Sequence, residues 1–565
     1  MRNLHRTCLK KGEARELDVT SRWTSWRSPT VFALGMVLAI AFGARGGSSS
    51  NLPLVAAVPR YEPGACPTSL PSIPELSGAE CGKLVVPENR QNLNGQTIRL
   101  PVARIPSVAQ PSNPDPVVYM AGGPGANAIA QAEILVSVGL NQTRDLIIMN
   151  QRGVADTEPA LTCDEIDRFN IKAVGLRYDS PKTGAMHVAA TKACHDRLVG
   201  QGIDLSAYNT GENSADFADL RKVMGIAEWN VYGLSYGTDL ALSLMRDHPE
   251  GIRSVIIDSV QPPSAASLAW AWTNASEAIN DIFRTCAAQP ACTSKFGDLE
   301  TAFAAQVQLR EANPLTTTGT YSPKVPPFKV VLDGGALVNW LGSVPDPVVA
   351  IPSIPSAIAE LVQGKPRQIA NSRAALADPA AIGAVGWGLF YSVACSEWVP
   401  FGPESLILVQ GLLSFPTYPK SVLSMAHGFP FMTQDCSVWN VPTAPGSVRQ
   451  VTISTIPTLV MAGSFDGKTS PQWAVYAAST LQNSTTVIIP GAGHGALFLM
   501  GLANDSAAKP CAQHVVASFL SNPMEPDIGC AATLTAPPFT TFASPLPQSE
   551  VDEELNNLSL FEAPY

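Results

Sequence analysis

Eight short apolar runs punctuate the chain, at 83–86, 97–102, 117–120, 146–149, 229–232, 254–257, 458–461 and 486–489. The first two flank the turn-like Asn92-Leu93-Asn94-Gly95, a spacing that predicts a β-hairpin. The later runs are continuous rather than alternating, as strands buried on both faces are. Helical spacing fills several gaps, for example Asp216 to Met224. Strands alternating with helices predict an α/β class built on an eight-stranded, mostly parallel sheet. Between the sixth and seventh runs about 200 residues intervene, rich in Pro and Trp, with helical stretches from Ala265 to Cys286 and from Leu299 to Glu311. The expected organisation is therefore a core in two parts, 58–261 and 456–535, with a mainly helical lid at 262–455. Residues 1–57 read as a targeting segment with its linker, and 536–565 as a loosely held tail that is Pro/Thr-rich, then acidic.

Composition narrows the function classes. The 565 residues are 45% hydrophobic and 15% charged, enough apolar material for a large core. A net charge of −10 argues against a nucleic-acid surface. At the N-terminus, Arg2, Arg6, Lys10, Lys11, Arg15, Arg22 and Arg27 precede the apolar run Val31 to Ala44. That run suits a signal peptide and is shorter than the ~20 residues a spanning helix needs. Cleavage is expected after Ala41-Phe42-Gly43 or Val55-Ala56-Ala57; the alternative is an uncleaved membrane anchor.

The cysteines agree with export. Of eleven, Cys8 lies in the targeting segment, which leaves an even ten. An oxidising compartment would pair them, and neighbours along the chain are the default partners: Cys66–Cys81, Cys163–Cys194, Cys286–Cys292, Cys395–Cys436 and Cys511–Cys530. Neither Cys-x-x-Cys nor His-Glu-x-x-His occurs, so the sequence offers no zinc signature.

The fifth run leads into Gly233-Leu234-Ser235-Tyr236-Gly237 and then a helical stretch that stops at His248-Pro249. This is the strand–turn–helix setting in which a serine is thrust above a sheet as a nucleophile. The pentad alone is weak, since chance supplies it in a fair share of chains this long. A base, an acid and an oxyanion site must accompany it. After the third run, Ala121-Gly122-Gly123-Pro124-Gly125 offers backbone N–H groups to an oxyanion, with Gly123 preferred because Pro124 has none; the N–H of Tyr236 is the second donor. In the order Ser, acid, His, four histidines follow the serine. His248 lies too far along the helix, His514 falls in a helical stretch and His427 in the insertion. His494, in Pro490-Gly491-Ala492-Gly493-His494-Gly495 just after the last run, is the expected base. Asp466 after the seventh run is the expected acid, and Asp258 at the end of the sixth is its rival.

These motifs, with Tyr208-Asn209-Thr210, the stretch Asp216 to Arg221 and Asn150-Gln151-Arg152-Gly153, resemble the proline-iminopeptidase and tripeptidyl-aminopeptidase group of α/β-hydrolases. The stretch Cys81-Gly82-Lys83-Leu84-Val85-Val86-Pro87-Glu88-Asn89, the Cys395/Cys436 region and residues 400–530 are similar to the exported tripeptidyl-aminopeptidase branch. The likeness spans roughly 60–530. It departs at Asn150, where the group usually has Asp, which weakens an expected contact with Arg152, and at Ala126-Asn127.

The resemblance implies an α/β-hydrolase fold and acyl transfer through Ser235, His494 and Asp466, with no cofactor. It also implies a peptide substrate cut near its free N-terminus. A buried α-ammonium needs a carboxylate, and Glu397 in the insertion is the candidate. The rivals are a carboxylesterase with the same triad and a non-catalytic binding protein on a hydrolase scaffold.

Overall fold

The computed structural model describes residues 58–67, 74–92, 94–265, 268–343, 351–498 and 507–541. The expected targeting segment and most of the tail lie outside them. A nine-stranded sheet runs in the order β1-β2-β3-β5-β4-β6-β7-β10-β11. Its strands are β1 (Arg60–Gly64), β2 (Glu80–Pro87), β3 (Thr97–Ile105), β4 (Asn113–Met120), β5 (Arg144–Met149), β6 (Trp229–Leu234), β7 (Ile252–Asp258), β10 (Thr458–Gly463) and β11 (Ser484–Ile489). β1 to β3 pair antiparallel and β3 joins β5 antiparallel. From β5 through β4, β6, β7 and β10 to β11 every pairing is parallel. The eight apolar runs fall in eight of these strands. The ninth, β1, is a partly exposed edge strand with Arg, Glu and Pro, which carries no apolar run to betray it.

The continuous apolar runs follow from burial on both faces. Along β4, Val117 and Tyr119 enter one core while Val118 and Met120 enter the other; Leu146 and Ile148 of β5 oppose Ile147 and Met149 in the same way. The face carrying Tyr119, Tyr232 and Ile256 shares its core with apolar residues from between β7 and β10. That stretch is mostly helical, but β8 (Leu315–Gly319) and β9 (Phe328–Leu332) form a small antiparallel hairpin within it. The threonines of β8 kept it from reading as an apolar strand.

Seven helices matter for the site: α1 (Asp164–Ala173), α2 (Pro181–Gly200), α3 (Thr210–Val223), α4 (Tyr236–Asp247), α5 (Arg367–Ala375), α6 (Trp387–Val393) and α7 (Met432–Trp439). The first four belong to the core and the last three to the insertion. Cys66–Cys81, Cys163–Cys194, Cys286–Cys292, Cys395–Cys436 and Cys511–Cys530 are disulfide-bonded, the neighbour scheme in full. No helix among the described residues is long and apolar enough to cross a membrane.

A buried arginine locks the loop after β5 to α3. Arg152 is fully buried, and its Nε and Nη2 donate to the two carboxylate oxygens of Asp216 at 2.9 and 2.8 Å. Its Nη1 donates to the carbonyls of Glu88 and Ala207 at 2.7 and 2.6 Å. The contact expected from position 150 is therefore made by Asp216. Asn150 instead accepts from the N–H of Ile129 (3.0 Å) and donates to the carbonyl of Ala155 (2.8 Å), which fixes the neighbouring loops. Removing Asp216 would leave the buried Arg152 only a longer contact to Glu212, at 3.3 Å, and would strip Arg90 of a partner. Asp216→Ala should thus lower unfolding free energy by about 3–5 kcal/mol in urea titrations, and a loss below about 1 kcal/mol would mean the pair is as weak as a surface one.

Candidate active site

β6 ends at Leu234, Ser235 takes φ 57° and ψ −125°, and α4 begins at Tyr236. A non-glycine residue held there stores roughly 1–3 kcal/mol of strain. The surroundings leave no alternative path. A Cβ on Gly237 would lie 2.0 Å from the Met120 carbonyl oxygen, and one on Gly233 would lie 2.4 Å from that of Gly237. The Ser235 N–H donates to the Asp258 carbonyl at 3.0 Å, while the Ser235 carbonyl accepts from the N–H of Thr238 at 2.8 Å and from its hydroxyl at 2.6 Å.

The glycine loop after β4 abuts the serine. A Cβ on Gly122 would come within 2.9 Å of the Ser235 Cβ and 3.4 Å of its Oγ. Gly123 has φ 104°, a conformation that side chains resist. Tyr236 is the first residue of α4, so its N–H has no partner in the i→i−4 ladder of that helix.

Further along the parallel part of the sheet, Asp466 follows β10 and His494 follows β11, both at most 2% exposed. His494 Nδ1 meets Asp466 Oδ2 at 2.9 Å. The same oxygen accepts from the Thr469 hydroxyl at 2.8 Å, and Oδ1 accepts from the N–H groups of Lys468 and Thr469 at 3.0 and 2.9 Å. Burial raises the Asp466 carboxyl, but the charge and hydrogen bond of His494 and the donors from Thr469 outweigh it and hold it below the usual carboxylate range. Two loops approach at backbone contact here: a Cβ on Gly463 would sit 2.2 Å from the Gly493 carbonyl oxygen.

Asp258, the rival acid, serves as a clamp. Its Oδ1 accepts from the Ala496 N–H (2.8 Å), and its Oδ2 from the Leu497 N–H (2.8 Å) and the Tyr232 hydroxyl (2.7 Å). Next to it, the Ser259 Oγ accepts from the Gly495 N–H at 2.7 Å. Asp258 and Ser259 thus join the serine's turn to the loop that bears His494. Sequence reasoning did not find this clamp, because a carboxylate that binds backbone N–H groups leaves no motif.

Glu397 lies in a π-helical turn, Ala394–Trp398, a form that recurs at functional sites. It is 4% exposed. Its Oε1 accepts from the Thr210 N–H at 2.8 Å and its Oε2 from the Thr210 hydroxyl at 2.6 Å. That hydroxyl also meets the Tyr236 phenol at 2.9 Å, so the insertion carboxylate is connected to the residue after Ser235. Burial pushes Glu397 up to about 6, against the Thr210 donors. Among the described residues, Cys163, Glu165 and Cys194 lie close enough to share a metal, but the two sulfurs are bonded to each other.

A strained serine after one strand, a glycine loop against it and a buried His–Asp pair after two later strands define the hydrolase class of α/β proteins. Residues 115–328 match the alpha/beta hydrolase fold family, and residues 425–532 match the family described as TAP-like protein. Together the two matches support a TAP-like α/β-hydrolase family. It is 27% identical over 246 residues to Serine protease Hip1 of Mycobacterium tuberculosis, covering 40% of this chain and 45% of that protein. It is 27% identical over 197 residues to Tripeptidyl aminopeptidase of Streptomyces coelicolor, covering 33% and 36%. Carboxylesterase B of M. tuberculosis is 26% identical over 259 residues, covering 44% and 48%. The chain thus spans about half, or less, of the length of these relatives.

The raised carboxyl of Glu397 predicts a pH-dependent effect on stability. Its folded value, about 6, lies above its ordinary 4.5. The contribution it makes is therefore complete below pH 4.5 and lost as pH rises through about 6. Above pH 7 its charge costs about 2 kcal/mol at ~1.36 kcal/mol per unit. Glu397→Gln, which can keep both bonds to Thr210, should raise the melting temperature at pH 8 and give no such gain at pH 4. A variant that is less stable at pH 8 would show that the charge is matched by its surroundings.

Proposed function

We propose that this chain is an exported serine hydrolase that releases short peptides or single residues from free N-termini. In this reading Ser235 Oγ attacks the scissile carbonyl, and His494 Nε2 takes its proton and returns it to the leaving amine. Asp466 holds the imidazole by Nδ1 and stabilises its charge. The N–H groups of Gly123 and Tyr236 receive the oxyanion. An acyl-enzyme forms on Ser235, and water releases it. The observation that carries the reading is the buried His494–Asp466 pair at 2.9 Å, whose carboxyl is held in its charged form. Five disulfides support an exported, oxidised setting.

The preference for peptides rests on the two relatives named as peptidases and on Glu397. A buried carboxylate at the insertion, linked through Thr210 to Tyr236, is a suitable partner for an α-ammonium, since each charge relieves the other's desolvation. Ester hydrolysis by the same machinery is the second reading. The relative named as a carboxylesterase, at similar identity, favours it.

Ser235→Ala should reduce turnover by at least ~10⁴-fold with the thermal midpoint unchanged. Residual activity above a tenth of wild type would remove Ser235 from the mechanism. Asp466→Asn should be far more damaging to kcat than Asp258→Asn, and the opposite ranking would move the acid to β7. Substrate class is decided by a peptidyl amide with a free and an acetylated N-terminus. The free form is expected to be cut much faster; equal rates would leave the esterase or an endopeptidase in its place.

A further inference from the structure

A pocket lies between the core helices α1 and α2 and the insertion. The space between its walls, open mouth included, is about 620 Å³. Phe169, Val174, Leu376, Phe429 and Met432 supply apolar walls. Neither the glycine loop nor Ser235, Asp466 or His494 lines it.

Its polar groups are one-sided. Arg373 on α5 is 9% exposed, and its Nε has no hydrogen-bond partner. Its Nη2 donates to the Ala173 carbonyl at a long 3.3 Å, and the guanidinium lies 5.6 Å from the Tyr178 ring centroid. Among the described residues no carboxylate comes within ion-pairing distance of it. The nearby Asp333 accepts instead from the N–H groups of Ala336 (2.8 Å) and Tyr178 (2.5 Å). The Asn170 Nδ2 and the Tyr178 hydroxyl are also buried and without partners. The acceptors, by contrast, are already in use: the Asp435 oxygens lie 3.1 and 2.9 Å from His187 Nδ1, and His187 Nε2 meets the Tyr391 hydroxyl at 3.4 Å. Buried polar groups in folded proteins are nearly always satisfied, and a buried cation nearly always has an anion. Here the Arg373 charge feels Asp333 only at a distance, and the unmatched atoms are its Nε and two groups able to donate.

We infer that this pocket is a binding site, separate from the reacting serine, for a small monocarboxylate with an apolar tail. The carboxylate would accept from Arg373 Nε, Asn170 Nδ2 and the Tyr178 hydroxyl, and the tail would lie among Phe169, Phe429 and Met432. A single negative charge fits better than a phosphate dianion, because Asp333 and Asp435 already stand beside the pocket. The same chemistry is offered by a free fatty acid and by the C-terminal residue of an apolar peptide. Since the pocket's walls come from both core and insertion, an occupant would hold the two together by mass action.

Calorimetric titration of the full chain with octanoate, N-acetyl-phenylalanine and 1-octanol tests this. At least one carboxylate should saturate the wild type, and the tighter of the two identifies the source. Arg373→Met should weaken carboxylate binding by about 30-fold or more, the usual consequence of deleting one partner of a buried charge pair, and leave 1-octanol unaffected. Asn170→Asp, at a half-buried position, sets a like charge against the ligand and should also weaken it; this variant decides the matter if Arg373→Met does not fold. Failure of both carboxylates to saturate the wild type, or affinities unchanged in the folded variants, overturns the assignment.

Discussion

The site depends on how closely the backbone at the end of β6 passes the end of β4. With the Met120 carbonyl only 2.0 Å from where a Gly237 Cβ would lie, α4 can start in one place only. The same crowding holds Ser235 at positive φ and sets Gly122 against its side chain. A strained residue persists only where its surroundings over-determine it. Here they do: β4 and β6 are parallel neighbours buried on both faces, and Ser235 is fixed through both its N–H and its carbonyl. The strain is small against the apolar burial of the strands that impose it.

Three buried carboxylates show how one fold assigns different work to the same chemical group. Asp466 is surrounded by donors and by His494, so its charge is favoured despite burial. Asp258 is equally buried and well supplied with hydrogen bonds, but His494 acts on it only at a distance, and burial raises it. It therefore serves as an acceptor that shapes the loop carrying His494. Glu397 feels Arg246 only at a distance, and burial pushes it up to about 6. Burial is common to all three, and the presence of a bonded imidazole separates the first from the others.

Much of this was legible in the sequence, for physical reasons. Strands buried on both faces must be apolar throughout, so eight of the nine in the main sheet announced themselves. The edge strand β1 and the threonine-rich β8 did not, because half-exposed strands carry no continuous apolar run. The elbow and glycine loop were legible because close backbone approach tolerates only glycine. Neighbour pairing of the ten cysteines matched the structure because short loops place their ends together. What the sequence concealed is what has no spacing rule: Asp258 bonding to backbone N–H groups, Arg152 reaching Asp216 across 64 residues, and Arg373 meeting α1 only after folding.

The polar seams of the insertion bear on whether it moves. Glu397 is held by Thr210, Asp435 by His187, and Trp387 donates to Asp167 of α1 at 2.7 Å. The Gly386 N–H donates to the Gly125 carbonyl at 2.9 Å, so the insertion grips the glycine loop itself. On the other side, Asn274 donates to the Lys468 carbonyl at 2.9 Å, beside Asp466. Lifting the insertion as a rigid lid would break all of these together. The groups so exposed would bond to water instead, so each lost bond costs a net ~0.5–1.5 kcal/mol. The sum is comparable to the few kcal/mol that separate the states of proteins that open and close. These bonds favour the seated position of the insertion against the glycine loop and the loop after β10.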